Sequence, residues 1–192
     1  MDQLEMLAFA VDQLEATVGS LDDSDMGTVT NCEPWTVRQL ASHALNNQLL
    51  WAGVVTDQAT VSVEDTMGAV PLPGDLAPVA ADIAQRVAAM RGTPGVLEAT
   101  HATPFGELPG SAIVYFPVID AVVHAWDLSA SLGRAVEFAP EDIPMIATVV
   151  DLTCTEGVRA MGLIKPATAP PADATDTERL MALAGRTIAR RS

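Results

Sequence analysis

The run Asp120-Ala-Val-Val-His124-Ala-Trp-Asp127 sets a carboxylate and an imidazole one helical turn apart inside an otherwise apolar segment. At about 100° per residue, positions i and i+4 lie ~40° apart and ~6 Å along the axis, so Asp120 and His124 can share one ligand. Their neighbours Ile113, Val114, Phe116, Val118, Ile119, Val122 and Val123 are apolar, so the pair faces protein, where an unpaired carboxylate is costly. A third group must come from another helix. Of the 3 histidines in the chain, His43, between Leu40 and Asn47, is the best candidate. Two His and one carboxylate leave positions open for water or substrate, as in catalytic zinc sites, and the same set suits non-haem iron. The competing reading is a buried hydrogen-bond network, because an Asp and a His at this spacing pair with each other more often than they ligate.

Other residues have two readings each. Asp127 either orients a ligand imidazole or serves as a cap or salt-bridge partner, for instance to Arg38 or Arg134. Asn47, one turn beyond His43, lines the pocket or bonds within the bundle. Cys32 precedes a helix N-terminus, a position that depresses a thiol pKa, but a buried inert cysteine is the commoner case. Trp35 and Trp126 read as packing residues, with a pocket wall as the alternative for Trp126. His101 reads as solvent-facing.

The elements that must position these groups are helical. Leu4, Leu7, Ala8, Val11, Leu14 and Val18 recur at helical spacing over 2–18. A capping box at Thr36 and Gln39 opens a second helix to about Val55. Gly68, Pro71, Pro73 and Gly74 make 56–75 a long connection with a short helical turn. Pro78 sits in the first turn of a third helix, from Leu76 to about Met90. Val96 to Leu108 reads as a β-hairpin or extended insert. A fourth helix is expected from Ser111 to Leu132 with Pro117 in its first turns, a fifth from Pro140 to about Met161, and a short one from Thr175 to Leu183. The class is all-α: a four-helix bundle over 1–165 with a small extended insert, followed by a C-terminal extension over 166–192.

Cys32-Glu-Pro-Trp35-Thr-Val-Arg-Gln-Leu40-Ala-Ser-His43 resembles the start of the metal-binding helix in the mycothiol-dependent maleylpyruvate isomerase N-terminal family, a branch of the DinB-like metalloenzymes. Asp120 to Gly133, centred on His124-Ala-Trp-Asp-Leu128, is similar to that family's second metal motif. The resemblance covers roughly residues 1–165. It implies a DinB-like bundle holding one divalent ion near one end, with His43, Asp120 and His124 as ligands. It also implies a thiol, mycothiol in the named isomerase, as cosubstrate. The family's carboxylate is Glu; Asp120 is one methylene shorter, which tightens the geometry or leaves room for an additional water. The extension is short for the isomerase's second domain, so the isomerase activity itself is not implied.

With 10 Lys plus Arg against 25 Asp plus Glu, the net charge is −15. This excludes a basic nucleic-acid-binding face and disfavours highly anionic substrates. Hydrophobic residues at 49% exclude disorder. Asp120, Asp127 and Asp151 interrupt the apolar stretches, so no membrane span is expected. The two cysteines are too few for a disulfide framework, and Met1-Asp2-Gln3-Leu4-Glu5 lacks a basic leader segment. The expectation is a cytoplasmic protein, as a homodimer, binding a divalent ion: zinc first, then nickel, iron or manganese. Its partners would be a thiol and a small electrophile. The functions that fit are metal-dependent thiol transfer or thiol-assisted isomerisation; the alternative is a non-catalytic metal- or small-molecule-binding bundle.

Overall fold

The computed structural model describes residues 2–56, 61–103, 105–134 and 136–188. They fall in two compact units, Met1–Gly133 and Arg134–Ser192, so position 165, where the sequence pattern changes, lies inside the second.

In the first unit, α1 (Gln3–Gly19) opens on a capping box: Asp2 accepts from the Glu5 amide at 2.8 Å, and Glu5 accepts from the Asp2 amide at 2.7 Å. The helix α2 (Val37–Thr56) begins at the expected Thr36 and Gln39 pair. A long connection carries the short α3 (Val63–Met67); its residues 57–60 lie outside the described ones. Then come α4 (Ala77–Met90), the hairpin β1 (Thr100–Thr103) and β2 (Gly106–Pro109), the turn α5 (Gly110–Ile113) and α6 (Tyr115–Ser131). The strands are antiparallel, with Thr100 opposite Pro109 and His101 opposite Leu108. Both α1 and α2 pack against α4 and α6, which closes a four-helix ring. Its interior holds Leu14, Leu40, Leu45, Ile83, Val118 and Leu128, each fully or nearly fully buried. Each such side chain contributes about 1.5–3 kcal/mol of transfer free energy. Ala10, Ala41, Ala44, Ala121 and Ala125 are buried between them and allow close helix approach.

The expected fourth helix is interrupted at Val114. Pro117 has no amide to donate to the Ile113 carbonyl, and its ring crowds that oxygen. The hydrogen-bond ladder of α5 therefore ends at Val114, which keeps helical dihedrals, and α6 restarts it with Pro117 in its first turn. By length and composition Gly110–Ser131 is apolar enough to cross a membrane, so Asp120 and Asp127 do not cut it short as expected; 67% of that window is buried, where α1 and α2 cover it.

Gly110 joins the hairpin to α5, donating to the Ala99 carbonyl at 2.9 Å, and a Cβ there would strike the Val96 carbonyl oxygen. Gly110→Ala is expected to lower stability by about 1–3 kcal/mol through forced backbone displacement. Thermal unfolding followed by circular dichroism checks this; an unchanged midpoint would contradict it.

The second unit comprises α7 (Ile143–Thr153), α8 (Glu156–Ala160) and α9 (Asp176–Leu183), with α7 packed on α9. The expected single helix over 140–161 is thus two. Thr155 takes an extended conformation and caps α8 by accepting from the Val158 amide, so the chain leaves helical geometry at Cys154. Burial pushes the Cys154 thiol up from its ordinary range, which keeps it protonated near neutral pH.

Candidate metal centre

The antiparallel passage of α2 and α6 brings the motif residues together. Gln48 Nε2 donates to the Pro117 carbonyl at 3.0 Å, and one turn earlier in α2, His43 meets Asp120. His43 and His124 are 7% and 8% exposed, and the Asp120 side chain 10%. The rings stand edge to face, centroids 5.0 Å apart at 84°.

Both imidazoles are oriented from behind. His43 Nδ1 lies 2.7 Å from the Thr66 carbonyl oxygen, and His124 Nδ1 lies 2.9 Å from Asp127 Oδ2. A carbonyl oxygen and an ionised carboxylate only accept, so both rings carry hydrogen on Nδ1. In the neutral rings the Nε2 lone pairs then face Asp120 Oδ2, at 3.3 Å from His43 and 3.5 Å from His124. These separations exceed the ~2.7–2.9 Å of a charge-assisted hydrogen bond. They match the edges of a tetrahedron: bonds of ~2.0–2.2 Å from a zinc-like ion put neighbouring donors about 3.3–3.6 Å apart. Asp120 Oδ1 is buried and has no hydrogen-bond partner among the described residues, an arrangement that costs free energy unless a cation or donor meets the carboxylate. A divalent ion held by the two Nε2 atoms and Asp120 would satisfy every one of these groups, so the residues present fit the metal that the sequence motifs imply.

Asp127, fully buried, accepts from His124 Nδ1 on one oxygen and from Asn31 Nδ2 on the other at 2.9 Å, as the orienting reading expects. Arg38 donates instead to the Leu72 and Gly74 carbonyls. Trp35 packs on the His43 ring, centroids 4.7 Å apart, rather than in the bundle core. Trp126 is 8% exposed. Asn47 is half-buried, and its Oδ1 has no partner among the described residues. His101 is half-buried with a buried Nε2, not solvent-facing as expected; β1 turns it inward opposite Leu108. Sequence reasoning missed Thr66, whose contribution is a backbone carbonyl and leaves no side-chain signal, and Asn31, which is remote from α6 in sequence.

A crystal structure of the mycothiol-dependent maleylpyruvate isomerase, and one of a histidine-to-alanine mutant of it, superpose with TM-score 0.59 at 17% identity, covering 77% of this chain and 68% of theirs. The shared architecture is the DinB-like bundle. Two uncharacterised proteins of Mycobacterium tuberculosis, from strains CDC 1551 and H37Rv, are each 28% identical over 142 residues, 73% of this chain and of theirs. Residues 7–129 match the family described as Mycothiol maleylpyruvate isomerase N-terminal domain. With that match spanning well over half of its length, the chain belongs to the mycothiol maleylpyruvate isomerase N-terminal domain family.

Proposed function

We propose that this protein binds one divalent metal ion through His43 Nε2, His124 Nε2 and Asp120. It would use the ion, with a small thiol such as mycothiol as cosubstrate, for thiol transfer or thiol-assisted isomerisation of a small electrophile. The observation that carries this is the 3.3 and 3.5 Å spacing of two oriented Nε2 atoms around one carboxylate oxygen. Family membership supports the thiol. When bound, the ion would lower the pKa of a thiol or water at its open positions. Zinc suits the two-nitrogen, one-oxygen set best, with nickel, iron and manganese next. The chain's own groups have defined parts: Thr66 O and Asp127 fix ring orientation and tautomer, and Trp35 covers one face of His43.

One observation favours a non-catalytic binding bundle instead. The apolar recess lined by Leu7, Gln48, Trp51, Val87, Met90 and Pro117 includes none of the three ligands, and the ligands themselves are almost closed off from solvent. The experiment that separates the two incubates metal-loaded and chelated protein with mycothiol and a panel of activated alkenes. Metal-dependent consumption or isomerisation of the alkene, requiring the thiol, is the expected result. Protein holding one ion per chain without any thiol-dependent turnover would support the binding bundle.

A further inference from the structure

The turn Thr30–Trp35 touches the His43 imidazole and the Asp127 carboxylate that holds the His124 imidazole. It closes through Thr30 N and Oγ1, which donate to the Trp35 carbonyl at 2.9 and 2.8 Å, and the Cys32 amide donates to Thr30 Oγ1 at 3.2 Å. It is tied to α6 by the Asn31 amide, which donates to Ser131 Oγ at 3.1 Å; that hydroxyl in turn donates to the Asp127 carbonyl at 2.7 Å. From one end Trp35 covers His43. From the other, Cys32 Sγ lies 3.2 Å from Asp127 Oδ2, the same oxygen that accepts from His124 Nδ1.

We propose that Cys32 is a positioning residue of the metal centre: its thiol donates to Asp127 Oδ2 and thereby fixes the carboxylate that sets the ring orientation and tautomer of His124. This rests on the metal reading above and extends it to a residue about 95 positions away in sequence from its partner. The Asp127 carboxylate receives three donors, Asn31 Nδ2 on Oδ1 and the Cys32 thiol and His124 Nδ1–H on Oδ2. Three donors on a fully buried carboxylate hold it in one orientation. Cys32, His124 and Asp127 also present three ligating atoms within 4.8 Å of one another. The 2.9 and 3.2 Å separations inside that group are hydrogen-bond lengths. By the same geometry, the group centred on Asp120 is spaced for an ion and this one for protons.

The test compares wild type, Cys32→Ala and Cys32→Ser by competitive zinc titration, by the absorption spectrum of the cobalt(II)-loaded protein, and by nitrogen-15 NMR of the His124 ring in metal-free protein. Cys32→Ala is expected to weaken zinc binding about tenfold, at the low end of the 10–100-fold typical of outer partners, and to shift His124 away from a pure Nδ1–H tautomer. Cys32→Ser, which keeps a donor, is expected to restore both. Equal weakening in both variants would assign Cys32 to packing and overturn the proposal. So would unchanged affinity and tautomer in Cys32→Ala. A thiolate-to-cobalt charge-transfer band in wild type, lost in Cys32→Ser, would make Cys32 a ligand and also overturn it. Wild type that binds no zinc would defeat the metal reading, and the NMR comparison would still decide whether Cys32 sets the His124 tautomer.

Discussion

His124→Ala is expected to abolish stoichiometric metal retention while leaving the bundle folded. In the proposed site His124 supplies one of three donors, through an Nε2 3.5 Å from Asp120 Oδ2. With it gone, only His43 and Asp120 remain, and two ligands do not make a retained zinc site. The loss should exceed the 10–100-fold that removal of an outer partner costs. Alanine is the best helix former, so α6 keeps its backbone, and Asp127 keeps its bonds from Asn31 and Cys32. Elemental mass spectrometry after desalting, with far-ultraviolet circular dichroism on the same sample, reads both effects. Metal retained at one ion per chain in His124→Ala would sink the ligand assignment.

Asp127→Asn keeps the shape and removes the charge. Three donors converge on Asp127 in the native protein, from Asn31, Cys32 and His124. An amide offers one accepting oxygen and turns the other position into a donor, so at least one native donor loses its acceptor in a fully buried setting. That costs about 1–3 kcal/mol of stability. The His124 ring loses the carboxylate that holds its hydrogen on Nδ1, so Nε2 no longer presents a pure lone pair to the ion. Metal affinity is expected to fall 10–100-fold. Denaturant unfolding and zinc competition measure the two together. A variant with native stability and native affinity would show that Asp127 does not govern the ring.

The sequence made the cluster of His43, Asp120 and His124, the proposed ligand set, legible because its signal is local. Asp120 and His124 are one turn apart in a strongly apolar helix, and His43 sits on the buried stripe of another. The hairpin was legible too, since Val96 to Leu108 breaks the helical period. The supports of the ligands were not. Thr66 acts through its carbonyl, at a place set by the packing of α3 on α2, and Asn31 and Cys32 reach Asp127 only once α2 and α6 lie side by side. The breaks at Val114 and Cys154 are legible only when local terms are weighed above the apolar pattern: a proline that removes one hydrogen bond, and a threonine that starts a new cap. His101 shows the converse limit, because the register of a four-residue strand decides which face is buried, and composition does not specify that register.

The central claim, that His43, Asp120 and His124 are spaced for an ion and not for direct hydrogen bonds, is tested most directly by metal content. The purified protein is analysed by elemental mass spectrometry as isolated, after chelation, and after reloading with zinc. About one divalent ion per chain, removed by chelator and restored on reloading, is the expected result. Protein that stays metal-free after reloading would contradict the claim and leave the two histidines and Asp120 as a buried polar network.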